Sequence, residues 1–323
     1  MFQRCVTIAV LLIACIATGM SHAEEGSAAR PPANDAELRR WLENMVWHHR
    51  YSHEEIALVI GRPVEQVAAD LRRLAIRGDQ PPAREKDAPL LVLPYPGGRH
   101  PRIGFLEGAV DPQRETKFSL FTPWKATDYV VVDVPEAIWW KEGAQRELLY
   151  LAHTHVPTVW SKQKVELPRL EWQIEKDDSL RLERKLPNGV VFGVSVAPSQ
   201  EAVRMEMWLT NGTSEKLTGL AVQNCVMFKG APTFAAQAND NKILAKPFIA
   251  CRSQEANRYV ITAWEPCGRV WANPPCPCMH SDPQFPDCAP GATVRLRGWL
   301  SFYEGADLTA ELKRIRELGW LKP

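Results

Sequence analysis

The strongest constraint in this sequence is a long succession of short β-type segments that begins at residue 90. Residues 180–186 and 190–196, for example, flank a Pro-Asn-Gly sequence that is typical of a hairpin turn. No helical pattern separates the segments, as it would in βαβ units, until an amphipathic stretch at 308–318. The sequence therefore predicts a mainly β fold, an antiparallel sandwich over residues 90–323 with a C-terminal helix.

The first 23 residues have the three parts of a secretory signal peptide. Arg4 supplies the positive charge, residues 6–16 form an apolar run too short to span a bilayer, and Ser-His-Ala at 21–23 offers small residues for cleavage. We therefore expect a periplasmic or secreted protein with no integral membrane segment after signal removal. Leu-Ile-Ala-Cys, ending at Cys15, also fits a lipoprotein box, so a lipid anchor at Cys15 is the alternative.

The net charge of the chain neither excludes a class of binding partner nor requires one. The sequence has 39 Lys and Arg residues against 38 Asp and Glu residues, and removal of the signal peptide takes away one arginine. A net charge near zero does not call for nucleic acid, an anionic membrane or a polyanion as an obligatory partner. We expect no nucleic acid partner.

Three helix-like patterns lie within residues 36–77, after a Pro-containing lead-in at 24–35 that we predict to be disordered. Asp35 is suited to cap the first helix. Ser52 and Glu55 have the spacing of a capping box at the start of the second helix. The pattern predicts a small three-helix module ahead of the sandwich.

The second and third patterns, separated by Gly61, resemble a bacterial helix-turn-helix. In a cytoplasmic protein this would favour DNA binding. In an exported protein we favour three helices that pack on each other and on the main domain, and a DNA-binding regulator is the less favoured hypothesis. The charged stretch at 78–89 contains Gly and Pro, and we predict that it is a linker.

Six cysteines remain after signal removal, an even number that predicts up to three disulfides in an oxidising compartment, with the pairing open. They are Cys225, Cys251, Cys267, Cys276, Cys278 and Cys288. Cys276 and Cys278 are too close in sequence to bond readily to each other. The alternative is a metal site, because Cys276, Cys278, His280 and Asp282 occupy alternating positions, but the full cysteine spacing of a zinc module is absent. We predict no cofactor.

Three regions concentrate polar side chains. In the first, Arg99 and Arg102 lie in a Gly- and Pro-containing turn and are suited to binding sugar hydroxyls or carboxylates; ion pairing with nearby acids is the alternative. In the second, His153 and His155 are two residues apart, so a strand would direct both to one side, ahead of Trp160. These histidines are candidate metal ligands, an acid/base pair or half-buried structural residues.

The third region runs from Trp264 to Asp287 and contains Glu265, His280 and Asp282. Its length and lack of periodicity predict an ordered loop, and such loops often carry binding groups. Tryptophans near these regions are the side chains that stack on the apolar face of a pyranose ring.

Four segments in order are similar to motifs of the galactose-mutarotase-like (aldose 1-epimerase) superfamily, over about residues 95–303. They are Gly-Arg-His-Pro-Arg-Ile at 98–103, Leu-Ala-His-Thr-His at 151–155 leading to Trp160, the pair Leu-Thr-Asn-Gly-Thr at 209–213 and Val-Gln-Asn-Cys-Val-Met-Phe at 222–228, and Glu265-Pro266 with Pro290-Gly291. The resemblance implies an antiparallel β-supersandwich and a carbohydrate partner.

One residue departs from that resemblance. Where a mutarotase places its general-acid histidine, this chain has Cys225, and a thiol does not protonate a ring oxygen as an imidazole does. The implied function is therefore a carbohydrate-binding protein, with acid/base chemistry at a sugar carbon of the epimerase, lyase or hydrolase kind if it is an enzyme. The alternative is a non-catalytic cell-envelope protein that binds carbohydrate.

The resemblance and the polar regions together give the candidate roles. Glu265 would be the base and His153 or His155 the acid. The candidate substrate-binding residues are Arg99, Arg102, Trp160, Asn224, His280 and Asp282. A metal ion at His153/His155 or at Cys278/His280 is the less favoured addition.

Overall fold

The computed structural model describes residues 29–101, 114–152, 156–255 and 257–320. The predicted signal peptide with Cys15, and three predicted site residues, Arg102, His153 and His155, lie outside the described residues.

Fifteen strands make up two antiparallel sheets in the described part of the chain. They are β1 (Val92–Pro94), β2 (Lys117–Phe121), β3 (Tyr129–Glu142), β4 (Gln145–Leu151), β5 (Gln173–Ile174), β6 (Leu180–Lys185), β7 (Val191–Pro198), β8 (Ala202–Thr210), β9 (Thr218–Met227), β10 (Lys242–Ala245), β11 (Phe248–Arg252), β12 (Arg258–Glu265), β13 (Cys267–Ala272), β14 (Cys278–Pro283) and β15 (Thr293–Glu304).

Sheet A has the order β1-β2-β3-β9-β14-β13, and β4 also pairs with β3. Sheet B has the order β10-β11-β12-β15-β8-β7-β6-β5. Apolar residues of both sheets meet in one core, to which β6 contributes Leu180 and Leu182 while Arg181 and Glu183 point to solvent. This period of two is the reason that the segment forms a strand. The predicted mainly β sandwich is confirmed.

Two glycines in sheet B each lie opposite a tryptophan on the neighbouring strand. Gly193 of β7 pairs with Trp208 of β8, and Gly298 of β15 pairs with Trp264 of β12. A Cβ atom on Gly298 would lie 2.6 Å from the ring of Trp264. The bare glycine backbone is therefore what allows each indole to lie flat across the sheet.

The predicted three-helix module is also present. It consists of α1 (Asp35–Glu43), a single π-helical turn (Asn44–His48), α2 (His53–Ile60) and α3 (Val64–Arg73). Asn34, rather than Asp35, caps α1, because its side chain accepts a hydrogen bond from the backbone N–H of Glu37. The capping box of Ser52 and Glu55 is confirmed at α2, which ends at Gly61 in the left-handed conformation.

The module packs on the outer face of sheet A, which we define as the face turned away from sheet B. The His49 ring lies among the aromatic rings of Tyr51, Tyr95, Phe121 and Tyr129. Its Nε2 is 2.7 Å from the hydroxyl of Ser119 on β2. The module therefore covers the β1-β2-β3 part of the outer face.

The described residues also contain α4 (Val159–Lys162), a 3-10 turn (Pro232–Phe234) and α5 (Leu308–Glu317). The predicted C-terminal helix is α5, and it packs Leu312 and Ile315 against Phe248 and Trp299 of sheet B. None of the helices among the described residues has both the length and the apolar character needed to cross a membrane.

Candidate functional site

The part of the outer face that the module leaves uncovered lies on β9, β14 and β13. Cys278 of β14 pairs with Met227 of β9, and Met279 pairs with Val226. Met279 and Val226 point into the core, so their neighbours along each strand point to the outer face. Continuing the register places His280 beside Cys225, with Cys278 diagonally across. We call Cys225, Cys278 and His280 the thiol–imidazole triad.

The triad is compact and buried. His280 Nε2 lies 3.4 Å from the sulfur of Cys278 and 3.8 Å from that of Cys225. His280 Nδ1 lies 2.7 Å from the backbone oxygen of Asn224. Because a carbonyl oxygen only accepts, Nδ1 is the donor, and Nε2 is the nitrogen directed at the two sulfurs.

Burial and the neighbouring groups shift the pKa values of Cys225 and His280. Burial raises the pKa of Cys225 well above its usual value, and contact with Cys278 adds to the effect. Burial alone would lower the pKa of His280, but Cys225, Glu136 and Asp282 outweigh it and raise that pKa to about 9.

Asp282 fixes the residues that cover the triad. Its Oδ2 accepts hydrogen bonds from Trp271 Nε1 at 2.7 Å and from Arg269 Nε at 2.8 Å, and its Oδ1 accepts one from the backbone N–H of Asn224 at 3.2 Å. The Trp271 indole stacks on the His280 ring, with centroids 3.9 Å apart and planes 8° apart. The imidazole is therefore sealed on one side by an indole whose orientation the carboxylate sets.

Glu136 of β3 and Gln223 of β9 continue the polar strip. Gln223 Nε2 donates to Glu136 Oε2 at 2.9 Å, and the same oxygen lies 3.9 Å from His280 Nδ1. Further along, Trp139 pairs with Ala221, which bridges to the exposed Gln284. This end of the outer face is open, because Trp139 and Ala221 are only half-buried.

Three predicted site residues lie elsewhere. Arg99 binds Glu55 of the helical module, Trp160 is buried in the core and donates from Nε1 to the backbone oxygen of Leu149, and Glu265 accepts a hydrogen bond from the backbone N–H of Cys267. None of the three forms a described hydrogen bond with the triad. The structure does bring together His280, Asp282 and Asn224.

The side chain of Asn224 points toward the core, whereas those of its neighbours Gln223 and Cys225 point to the outer face. Its Oδ1 and Nδ2 have no hydrogen-bond partner among the described residues. Its backbone, rather than its side chain, serves the site, since the carbonyl accepts from His280 and the N–H donates to Asp282. From the sequence we predicted that Asn224 binds substrate.

None of the six described cysteines forms a disulfide, so none of the predicted disulfides is present in this structure. Cys225 and Cys278 are the two that the triad brings together. They are diagonal rather than directly opposite on their strands, a placement that typically separates Cα atoms by about 7 Å, beyond the usual disulfide range.

The predicted loop from Trp264 to Asp287 is instead largely two strands, β13 and β14. The polar residues of β13 and β14 pair with one another on the outer face. The two segments therefore lack the clear alternation of apolar and polar residues from which a strand is predicted. Glu136, Gln223, Trp139 and Trp271 were not predicted as site residues. The one available signal was Glu136, a charged residue within an apolar strand sequence.

No protein-family model matches the chain, and no curated protein matches it. Solved structures are similar to it at low identity. The Slr1438 protein from Synechocystis sp. PCC 6803 is 9% identical, with a TM-score of 0.35, and the match covers 59% of this chain and 88% of that one.

Two further solved structures are similar over a smaller share of their own length. A heparan sulfate lyase HepC mutant from Pedobacter heparinus is 10% identical, with a TM-score of 0.32 and coverage of 59% of this chain and 36% of that one. A heparinase III gene product is 8% identical, with a TM-score of 0.35 and coverage of 83% and 46%. The chain therefore spans less than half the length of each of these two proteins.

Proposed function

We propose that this protein is an exported carbohydrate-binding protein whose sugar site is the open part of the outer face of sheet A. One observation carries the proposal. Two half-buried tryptophans, Trp139 and Trp271, lie on that face at opposite ends of a floor that contains Gln223 and Gln284. Indole faces stack on pyranose rings, and amides bind hydroxyls.

The spacing of the two tryptophans suits an extended sugar chain. Trp271 pairs with His280, whereas Trp139 lies at the level of Gln284, four residues further along. Three strand-to-strand steps separate β3 from β13, so strand geometry places the two indoles on the order of 20 Å apart. We infer that the ligand is an oligosaccharide rather than a single sugar.

A bound sugar would displace Arg269 from Trp271 and Arg146 from Trp139, where the Arg146 guanidinium lies 4.5 Å from the ring centre. The Arg269 guanidinium lies over the Trp271 ring, 4.8 Å from the ring centre, and the Arg269 side chain is 60% exposed. A side chain that is so exposed can swing aside without opening the core. The Asp282 carboxylate would still hold the indole in place, because its hydrogen bond to Trp271 Nε1 does not depend on Arg269.

Binding without turnover is favoured over catalysis by the burial of the acid/base groups. Glu136 and His280 are 4% and 2% exposed, and Trp271 covers the imidazole. An acid/base reaction at a sugar carbon is the second candidate. It is supported by the imidazole of His280, which lies beside Cys225, where the mutarotase resemblance implies a histidine. In that candidate Glu265, His153, His155 and Arg102 keep the roles that the resemblance implies.

The binding proposal is tested on a glycan array, followed by titration calorimetry with the oligosaccharides that bind. Trp139→Ala and Trp271→Ala are each expected to weaken binding at least tenfold, a loss of about 1.4 kcal/mol. The matched control is Trp47→Ala, because Trp47 is a half-buried indole on the helical module. Equal affinity in all three variants, or an array without a bound glycan, would refute the proposal.

The same bound oligosaccharide then separates the two candidates. An unchanged sugar after long incubation supports binding alone. A new product whose formation stops in Glu265→Ala supports catalysis. Export is tested independently, by whether residues 1–35 carry a fused reporter out of the cytoplasm.

A further inference from the structure

We propose that the thiol–imidazole triad, Cys225, Cys278 and His280, binds a divalent transition-metal ion of the zinc kind. This inference does not rest on the sugar site. Sequence reasoning placed a candidate metal at Cys278 and His280 with Cys276 and Asp282 beside them. The fold instead brings Cys225 from a different strand, and Asp282 is occupied with Trp271 and Arg269.

The distances match the requirements of a tetrahedral ion. The three candidate ligand atoms lie within 4.8 Å of one another. With metal–sulfur bonds of about 2.3 Å and metal–nitrogen bonds of about 2.0 Å, tetrahedral geometry separates a sulfur from a nitrogen by roughly 3.6 Å. The two observed separations from His280 Nε2 are 3.4 Å and 3.8 Å. Both separations from the imidazole nitrogen therefore lie within about 0.2 Å of the tetrahedral value.

The imidazole is already oriented as a ligand. Metal-binding histidines usually donate their second ring N–H to a carbonyl or carboxylate, which fixes the ring and directs the other nitrogen at the ion. His280 Nδ1 donates to the Asn224 carbonyl, and a Glu136 carboxylate oxygen lies 3.9 Å from the same nitrogen. The stacked Trp271 indole prevents the ring from turning.

The surroundings suit a soft, partly closed site. Cys225 and Cys278 are packed with Tyr129, Val131 and Met227, so little water reaches the sulfurs. Two thiolates and one imidazole are the donor set that selects zinc over the hard cations calcium and magnesium. On binding, Cys225 and Cys278 give their thiol protons and His280 gives its Nε2 proton to solvent, and the two thiolates neutralise the ion's double charge. The fourth position is left for a ligand outside the triad.

The test uses the full chain, purified in its reduced form and dialysed with Zn²⁺ or Co²⁺. We expect one ion per chain by elemental analysis. We also expect the Co²⁺ form to show the near-ultraviolet charge-transfer absorption of cobalt–thiolate bonds, which requires no variant. Two thiols should become protected from a thiol reagent when Zn²⁺ is present.

Cys225→Ser, Cys278→Ser and His280→Gln are each expected to weaken Zn²⁺ binding at least a hundredfold. Cys251→Ser is the matched control, since Cys251 is an equally buried free thiol in sheet B, and it should bind one ion as the wild type does. A reduced wild-type chain that binds no Zn²⁺ and shows no cobalt–thiolate absorption would overturn the proposal. So would a Cys225–Cys278 disulfide in the protein as isolated from its natural compartment.

Discussion

The guanidinium of Arg99 binds both carboxylate oxygens of Glu55, with Nη2 2.7 Å from Oε2. Two further N–H groups donate to the backbone oxygens of His49 and Arg50 at 2.8 Å each, and the guanidinium lies over the ring of Tyr51. Arg99 thus joins the segment after β1 to the helical module, whereas from the sequence we predicted that it binds a sugar.

Replacing Arg99 by Met should loosen the module. The pair is about one third exposed, so solvent screens it, and we expect a loss of about 1 to 2 kcal/mol. Hydrogen exchange of the α2 amides measures the change. Arg39→Met, which breaks the more exposed helix pair with Glu43, is the control, and an equal effect of both variants would contradict the assignment.

The module should also loosen in acid, through His49. Burial lowers the pKa of His49 from 6.5 to about 3 in the folded protein. Protons therefore bind the unfolded chain first, so the stabilisation is complete above pH 6.5 and is lost progressively as the pH falls toward 3. Urea unfolding should show about 2 to 3 kcal/mol of loss between pH 7 and pH 4.5 from this residue.

In the variant His49→Gln, the free energy of unfolding should change less between pH 7 and pH 4.5. His53→Gln replaces an exposed histidine of the same module and should leave that pH dependence unchanged. A wild-type slope that persists in His49→Gln would assign the acid sensitivity to other groups, of which the half-buried His48, with a pKa lowered to about 4 by burial and by Arg84 and Arg50, is the nearest.

Lys117 and Asp133 form an ion pair across β2 and β3 with both side chains 0% exposed. The ammonium lies 2.8 Å from the carboxylate, which also accepts from the hydroxyl of Thr116. Asp133→Asn should cost about 3 to 5 kcal/mol in the free energy of unfolding, because it leaves an uncompensated buried charge. The double variant Lys117→Met, Asp133→Leu should recover most of that loss, and a double variant as unstable as the single one would contradict this account.

Gly298→Ala should destabilise sheet B by about 1 to 3 kcal/mol, because the new methyl group overlaps the Trp264 indole. Gly78→Ala is the control, since its Cβ would meet only Val46, at an ordinary 3.6 Å. Thermal unfolding of the two variants measures the difference. Equal midpoints would mean that the indole moves aside at no cost.

The sequence was sufficient for the class of fold because strand alternation and helix capping are local. The strand predicted at residues 180–186 and the capping box of Ser52 and Glu55 are each determined by residues only a few positions apart. Both predictions are confirmed. The candidate site was only partly predictable. His280 and Asp282 stood out as polar residues near cysteines, but their partners Asn224 and Cys225 lie on a strand more than fifty residues away.

What sequence reasoning could not supply is the register between distant strands. The contact between Cys225 and His280 exists because β9 and β14 pair with Cys278 opposite Met227, and a shift of one residue would turn either side chain into the core. Trp160, which we expected to bind substrate, is instead a core residue on α4, and its Nε1 donates to the backbone oxygen of Leu149.

The position of β15 has a consequence for the order in which the chain can fold. This strand is the last in the sequence, yet it lies in the middle of sheet B, between β12 and β8. During synthesis, sheet B therefore consists of two separate halves until residue 304 has emerged, and both halves expose edges that later pair with β15. The contacts within the core of the helical module are local and can form early, whereas sheet B has to wait for β15.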